Sequence, residues 1–457
     1  MKTVGAMQNM TEGKPIKHIL RFFFPLLFGM LFQQFYSLVD TAIVGKFLGP
    51  YDLAAVGATG SVNFLILGFC MGVCNGFSIP IAQKFGAEDE SGLRRFVANS
   101  VWLAVIFAIV MTISVSFMCR QILVWMDTPA DIIDRSYDYI LVIFIGIPVT
   151  YLYNLLSGIM RALGDSRTPL IFLILSSVLN IIFDILAILV LGMGVGGAAG
   201  ATVLAQGISG ILCLLYMRKK FTVLHLTREE WRLNGHCVVR LLGMGIPMGL
   251  QYSITAIGSV ILQRAVNRLG ATAVAAIASG GKISMFLCCP FDAMGSTMAT
   301  YAGQNLGARK LKRVDEGIFS CSALALVYST VAFVILALFG KYFALLFVDA
   351  AEGRLIETIA QFLWWTGLFY FPLALVNIVR FTIQGLGFGK LAILAGVCEM
   401  IARSVVGFWF VPVFGFTAAC LASPVAWVLA DLFLIPAYFL VIRYLRNIMP
   451  HREEETV

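Results

Sequence analysis

Twelve apolar segments run through the sequence, and each is long enough to cross a lipid bilayer as a helix. About 20 apolar residues suffice to span the hydrocarbon core. The segments are 16–46, 52–82, 94–119, 132–160, 168–192, 197–218, 237–268, 272–304, 313–340, 354–385, 390–412 and 416–445. Several exceed the minimum length, so those helices must tilt or extend beyond the hydrocarbon. This pattern predicts an all-α polytopic membrane protein with twelve transmembrane helices.

The composition excludes most other classes of protein. Hydrophobic residues make up 60% of the 457 residues and charged residues only 13%, about half the charged share of an ordinary soluble domain. A cytosolic enzyme, a secreted scaffold and a disordered chain are therefore excluded. The ten cysteines lie mostly in apolar stretches, where buried, reduced thiols are expected. All four histidines fall in polar segments, which argues against an intramembrane metal ligand or proton relay built on histidine.

Basic residues are distributed unevenly along the chain. Lys and Arg concentrate in residues 1–21, in the joins after even-numbered helices and in the C-terminal tail, whereas the other joins hold few. By the positive-inside rule, this bias predicts a multi-pass membrane protein with both termini in the cytoplasm. The same bias explains the formal net charge of +8 without a nucleic-acid partner.

Matching segments in the two halves of the sequence indicate an internal repeat. The matched positions are 53–57 with 274–278, 83–87 with 304–308, Pro25 with Pro247, and Pro148 with Pro372. Because each half holds six helices, both copies enter the membrane in the same orientation. The repeat predicts two six-helix bundles related by a pseudo-twofold axis along the membrane normal. The predicted lobes are 1–219 and 237–457, joined by a cytoplasmic linker at 220–236.

Three polar motifs stand out against the apolar background. Helix one reads YSLVDTAIVG over 36–45, the turn before helix five reads RALGDSRTP over 161–169, and helix five reads NIIFD over 180–184. With twelve helices in two halves, these motifs resemble the multidrug and toxic compound extrusion (MATE) transporters, in particular their prokaryotic DinF-type branch. The resemblance implies a monomeric exporter, surrounded by membrane lipids, that moves organic and often cationic compounds against an inward flow of protons or sodium ions.

Asp40 is the clearest candidate for ion coupling, because it lies deep in helix one. A carboxylate in the bilayer core is costly and is a functional candidate by default. Tyr36 and Gln33 precede it by four and seven residues and share its helix face, where a polar stripe is tolerable beside a substrate cavity. The alternative is a structural carboxylate near the helix end, since Lys46 follows soon after.

Asp184 is the second buried acid, and Asn180 lies four residues before it on the same face of helix five. A carboxylate with an amide oxygen nearby can coordinate a hard cation. The same carboxylate, when desolvated, can take up a proton instead. The sequence leaves both possibilities open.

The family resemblance implies a cation site for H⁺ or Na⁺ in the N-terminal lobe. Its members are Asp40, Asn180, Asp184 and Thr202. It also implies that Tyr139 and Asn154 line the same cavity. Purely structural roles stay open for two of these residues: a helix-packing hydrogen bond for Asn180, and a bond from Thr202 to its own helix backbone.

The C-terminal half departs from this pattern. Aligned by the repeat, Glu399 stands opposite Asn180 and Arg403 opposite Asp184. The i,i+4 spacing with Glu first predicts an intrahelical ion pair, which suits structure or gating better than ion capture. Leu262 replaces Asp40, so a second carboxylate cation site is not expected. Four other charged residues of this half are assigned to structural pairing or to the cavity wall: Lys282, Asp292, Arg380 and Asp431.

Pro25 lies inside helix one, where proline removes a backbone hydrogen bond and kinks the helix. It is either a static kink or a hinge that lets helix one bend when Asp40 changes charge. Energy must come from an ion gradient, since the sequence has no phosphate-binding loop of an ATPase and implies no cofactor. The prediction is a secondary active exporter rather than an enzyme. The alternative is a flippase for lipids or lipid-linked oligosaccharides with the same fold.

Overall fold

The computed structural model describes residues 7–449 and is almost entirely helical there. Helices are the expected form, since a chain in lipid must satisfy its backbone polar groups within each segment. The α-helices are α1 Pro15–Phe47, α2 Pro50–Ala58, α3 Gly60–Gly86, α4 Glu90–Trp125, α5 Ile133–Ile145, α6 Ile147–Ala162, α7 Arg167–Ile185, α8 Gly194–Lys220, α9 Gly235–Asn267, α10 Ala271–Gly307, α11 Leu311–Ala344, α12 Gly353–Leu368, α13 Tyr370–Gly385, α14 Gly389–Val405, α15 Val411–Phe414 and α16 Phe416–Ile448. One π-helical turn, Leu186–Val190, follows α7, and another, Val406–Phe410, follows α14.

Among residues 7–449, all of these helices except the short α2 fall into up to twelve candidate membrane spans, the number that the sequence predicts. Ten are single helical stretches that are long and apolar enough to cross a bilayer. The other two are bent pairs: α5 and α6 meet at 47°, and α12 and α13 meet at 48°. The all-α class and the count of twelve are therefore confirmed when each bent pair is taken as one span.

Two predicted helices, 132–160 and 354–385, are in fact broken. The breaks fall at Gly146 and Phe369, each just ahead of a proline matched by the sequence repeat, Pro148 or Pro372. Proline lacks the N–H that would continue the preceding helix, and it is tolerated in the first turn of a new helix, where that N–H would have no partner. The segment 52–82 is likewise divided at Thr59.

The described chain forms two compact units. Unit 1 contains residues 7–9 and 24–253, and unit 2 contains residues 10–23 and 254–449. One boundary lies between residues 9 and 10, and the other two fall inside α1 and α9, whereas the repeat places the division at 220–236. Residues 237–253, assigned to the C-terminal lobe by the repeat, belong to unit 1. The termini lie partly outside the described residues, and their cytoplasmic location stays a prediction.

Within unit 1, α3 packs directly against the first half of α9. Gly72 and Gly76 face Met244, Gly245 and Met248 so closely that a Cβ at Gly76 would lie 2.5 Å from the Cα of Gly245. Small residues four apart let two backbones approach, which is how helices associate in membranes. This contact fixes α3 beside α9 and supports the apolar core of unit 1.

We expect Gly76→Ala to destabilise unit 1 by roughly 1–3 kcal/mol, the usual cost of forcing a methyl group into a packed site. The clash is with the backbone of α9, which cannot rotate away. A thermal unfolding curve of the purified protein in detergent would measure the loss. Gly60→Ala, on the same helix with no atom within 4 Å of the new Cβ, serves as the control and should not lower the melting temperature.

The segment between α8 and α9 is docked on α4 rather than being a free linker. Glu230 accepts a hydrogen bond from Nε of Arg94 at 2.7 Å and one from the backbone N–H of Thr227 at 2.8 Å. The indole N–H of Trp102 donates to the carbonyl of Trp231 at 3.0 Å. Burial raises the pKa of Glu230, but these hydrogen bonds and the Arg94 charge outweigh it, so the net shift is downward.

Glu230→Gln should lower the melting temperature at neutral pH, because the charge-assisted bond to Arg94 contributes about 1–2 kcal/mol. The folded-state pKa of Glu230 lies below its unfolded value, so this stability is present above the unfolded pKa and is lost as pH falls through the folded pKa. Unfolding curves of wild type and variant should therefore differ at pH 7 and converge in acid. A difference that grew as pH fell would contradict this account.

Candidate functional site

The turn 161–169 determines where α7 begins. Gly164 has a positive φ of 81°, which favours glycine. The next residue, Asp165, accepts hydrogen bonds from the backbone N–H groups of Arg167 and Thr168, both at 3.0 Å. These bonds satisfy the free donors at a helix start. The motif is thus structural, and it sets the position of the acid that α7 carries further along.

Asp40 of α1 and Asp184 of α7 meet inside unit 1. Their carboxyl groups lie close enough to interact with each other. Asp184 is fully buried. The two acids are far apart in sequence, so the packing of α1 beside α7 creates the pair.

This acid pair lacks donors. Among residues 7–449, none donates a hydrogen bond to either carboxylate oxygen of Asp184 or to the buried Oδ1 of Asp40. Two adjacent carboxylates cannot both keep their charges in a low-dielectric interior without a compensating positive charge. Uptake of a proton or a cation would remove the repulsion between them.

The structural alternative for Asp40 lacks its partner. Lys46, the basic residue that could have neutralised it, lies over the ring of Phe47, with Nζ 5.7 Å from the ring centroid. No ion pair between Asp40 and Lys46 occurs in the described part of the chain. Asp40 is thus not held in a permanent ion pair with Lys46 at the end of α1.

Asn180 and Thr202 are joined by a hydrogen bond. The amide nitrogen of Asn180 donates to the Thr202 hydroxyl at 3.2 Å, and that hydroxyl donates to the carbonyl of Ala198 at 3.2 Å. Both structural alternatives raised by the sequence are therefore present. Yet Oδ1 of Asn180 is buried and receives no hydrogen bond from the described residues. This amide oxygen is still available as a ligand one helical turn before Asp184.

Two tyrosines complete the surroundings of the acid pair. Tyr36 and Tyr139 each lie close enough to interact electrostatically with both Asp40 and Asp184. The helices α1, α5 and α7 thus contribute polar groups to one region, and α8 joins them through Thr202. The two other predicted cavity residues are less closely connected. Asn154 donates to the carbonyl of Thr150 in its own helix at 2.8 Å, and Gln33 is exposed.

A π-helical turn directly after Asp184 was not foreseen from the sequence. It covers Leu186–Val190, and π-helical turns inside helices often occur at functional sites. A corresponding turn, Val406–Phe410, follows Arg403 in unit 2. The two turns occupy equivalent positions of the sequence repeat, so the local geometry after each polar group is shared by both halves.

Unit 2 holds an ion-paired cluster at the equivalent place. The predicted ion pair between Glu399 and Arg403 is present, at 3.2 Å. A second guanidinium, that of Arg380 on α13, also pairs with Glu399, a contact that the sequence did not reveal. Asp292 accepts a hydrogen bond from Asn377 at 3.2 Å. Leu262 lies against an apolar cluster. In contrast to Asp184, Glu399 is held by two basic partners.

The family model for MatE matches the chain twice, over residues 25–186 and 247–409. This chain belongs to the MatE family. The two matches begin at Pro25 and Pro247, a proline pair of the sequence repeat. The resemblance to MATE transporters is thereby confirmed, and the protein is a multi-pass membrane transporter.

Known MatE relatives agree with this assignment. The "Probable multidrug resistance protein YpnP" of Bacillus subtilis is 29% identical over 403 residues, covering 88% of this chain and 87% of that protein. The "DNA damage-inducible protein F" of Escherichia coli is 26% identical and covers 62% of each chain. A solved outward-facing MATE transporter superposes with a TM-score of 0.90 at 23% identity, covering 98% of this chain and all of that one. The bacterial relatives place this MatE transporter in a prokaryotic cell membrane.

Proposed function

We propose that this transporter exports small organic compounds, many of them cationic, in exchange for protons or sodium ions. The observation that carries the proposal is the contact between Asp40 and Asp184 without any described donor. The name of the Bacillus subtilis relative, a probable multidrug resistance protein, supports the substrate class. The acid pair supports ion coupling, because buried acids in a membrane commonly mark ion pathways.

The first step is neutralisation of the acid pair. An ion arriving from outside binds at Asp40 and Asp184 and removes their repulsion, so α1 and α7 can pack more closely. Release of the ion inward restores the negative charge and the more open arrangement, which attracts a cationic substrate. Ion and substrate therefore disfavour each other's binding, and by linkage the effect is equal in both directions.

Four oxygen atoms without donors are available for the ion. They are Oδ1 of Asp40, Oδ1 of Asn180 and both carboxylate oxygens of Asp184. A proton needs only the contact between the two carboxyl groups, whereas Na⁺ would use the amide oxygen as well. Asn180→Asp keeps the oxygen and Asn180→Leu removes it, so the two variants separate these cases. If the coupled ion is a proton, Asn180→Leu should retain more gradient-driven transport than it would if the coupled ion were Na⁺.

The test is transport in proteoliposomes with one imposed gradient at a time. Efflux of a fluorescent organic cation should accelerate with an inward pH gradient or an inward Na⁺ gradient, and the effective gradient identifies the ion. Acceleration by neither gradient would refute ion-coupled export. The lipid flippase alternative predicts a different result: labelled phospholipid or lipid-linked oligosaccharide would change leaflets and would compete with the organic cation.

A further inference from the structure

Unit 2 carries a groove of about 630 Å³ between the first turns of α11 and the last turns of α16. One part of its wall is apolar and includes Phe319 and Phe439, which are 77% and 65% exposed. Such aromatic rings on membrane-spanning helices are exposed to lipid rather than to water. The groove volume is in the range of sites that bind small molecules.

The other part of the groove is charged. Asp315 accepts a hydrogen bond from the hydroxyl of Tyr438 at 2.5 Å and pairs with Nη2 of Arg446 at 2.5 Å. Both oxygens of this acid are thus engaged. Arg443 also lines the groove and forms no ion pair with any residue from 7 to 449. One acid against two guanidinium groups leaves this end with a net positive charge.

The charged and apolar parts lie at different depths. Arg446 is within one turn of the end of α16 at Ile448, whereas Phe319 lies about 12 Å along α11 from its start at Leu311, given a rise of 1.5 Å per residue. Helix ends of a spanning protein lie at the level of lipid headgroups, and deeper turns lie beside acyl chains. The groove therefore has the polarity of a phospholipid, with charge at the interface and aromatic surface below it.

We propose that this groove binds an anionic glycerophospholipid. Its phosphate contacts Arg443 and Arg446, and an acyl chain lies along Phe319 and Phe439. An anionic lipid fits better than a zwitterionic one, because the net positive end of the groove complements a headgroup with net negative charge. Asp315 holds Arg446 in place.

Native mass spectrometry of the delipidated full-length protein tests this assignment. Phosphatidylglycerol, phosphatidylcholine and phosphatidylethanolamine are added in equal amounts, and the lipid retained by the protein is counted. We expect phosphatidylglycerol to be retained at least 5-fold more than the other two. Arg443→Gln should abolish the preference, whereas the double variant Lys219→Gln and Lys220→Gln, which removes exposed charge at the end of α8, should keep it.

A second variant tests the groove without changing its charge. Ser322→Trp fills the space beside Phe319 and should reduce retention of phosphatidylglycerol while the melting temperature stays near that of wild type. Equal retention of all three lipids, or an equal loss in the Lys219 and Lys220 control, would overturn the site and leave only general attraction to basic surface. Preferred retention of phosphatidylethanolamine would overturn the choice of an anionic ligand.

Discussion

Asp184→Asn should reduce gradient-driven efflux by about 10-fold or more, the size of effect expected when a coupling free energy of at least ~1.4 kcal/mol is lost. The substituted amide keeps the shape of the side chain but cannot carry the negative charge that the ion neutralises. Asp40→Asn should have a similar effect, because the two carboxyl groups act as one site. Efflux from proteoliposomes, at matched protein content and with the gradient that drives the wild type, is the measurement.

Asp138→Asn is the matched control for these variants. Asp138 lies on α5 next to Tyr139 but is exposed, so its replacement should leave efflux within about 2-fold of wild type. The double variant Asp40→Asn and Asp184→Asn should be no worse than either single variant, since residues that act as a unit are not additive. Full efflux in either single variant would rule out coupling through this pair.

The helices could be predicted because lipid imposes a simple rule on sequence. Every span must be apolar and about 20 residues long, and the ends of α8, α9 and α16 lie within three residues of the predicted ones. The bends at Gly146 and Phe369 were missed although the signal was present. The repeated prolines Pro148 and Pro372 lack the N–H donor that would continue the preceding helix, which is a signal for a new helix start.

The site itself was predictable only in part. Acidic residues inside a membrane span stand out as functional candidates, because burying a charged group in the bilayer is costly. The i,i+4 spacing correctly linked Glu399 to Arg403, because that contact is local. The meeting of Asp40 with Asp184 came from family resemblance, since no local rule pairs side chains on α1 and α7. Pairing of Arg380 with Glu399 was missed for the same reason, as it depends on how α13 packs beside α14.

The segment between α8 and α9 shows a further limit of prediction from sequence. Its polar composition identified a join between helices, which is correct, but composition carries no information about what a join contacts. The bond from Arg94 to Glu230 connects residues 136 positions apart, and each alone looks like an ordinary surface charge. Such long-range pairs require a folded chain, or many related sequences, to be recognised.

Glu399→Gln should destabilise unit 2 by about 3–5 kcal/mol, the usual cost of removing one partner from a buried ion pair. Glu399 pairs with both Arg380 and Arg403, and the three side chains are 6% to 8% exposed. A neutral amide would remove the carboxylate that both guanidinium groups contact inside the protein. Nη1 of Arg403 has no hydrogen-bond partner among the described residues, so few other contacts stabilise the charge of this guanidinium. Thermal unfolding in detergent measures the loss.

Glu357→Gln provides the comparison, because Glu357 forms only an exposed pair with Lys341 at 3.6 Å, and such pairs contribute little. The double variant Arg403→Met and Glu399→Gln should recover part of the lost stability, since one stranded charge is removed. If the cluster is structural, protein that remains folded in Glu399→Gln should still respond to the ion gradient. A normal melting temperature combined with lost gradient response would instead make Glu399 a gating residue, and ion binding in unit 1 would then depend on charge in unit 2.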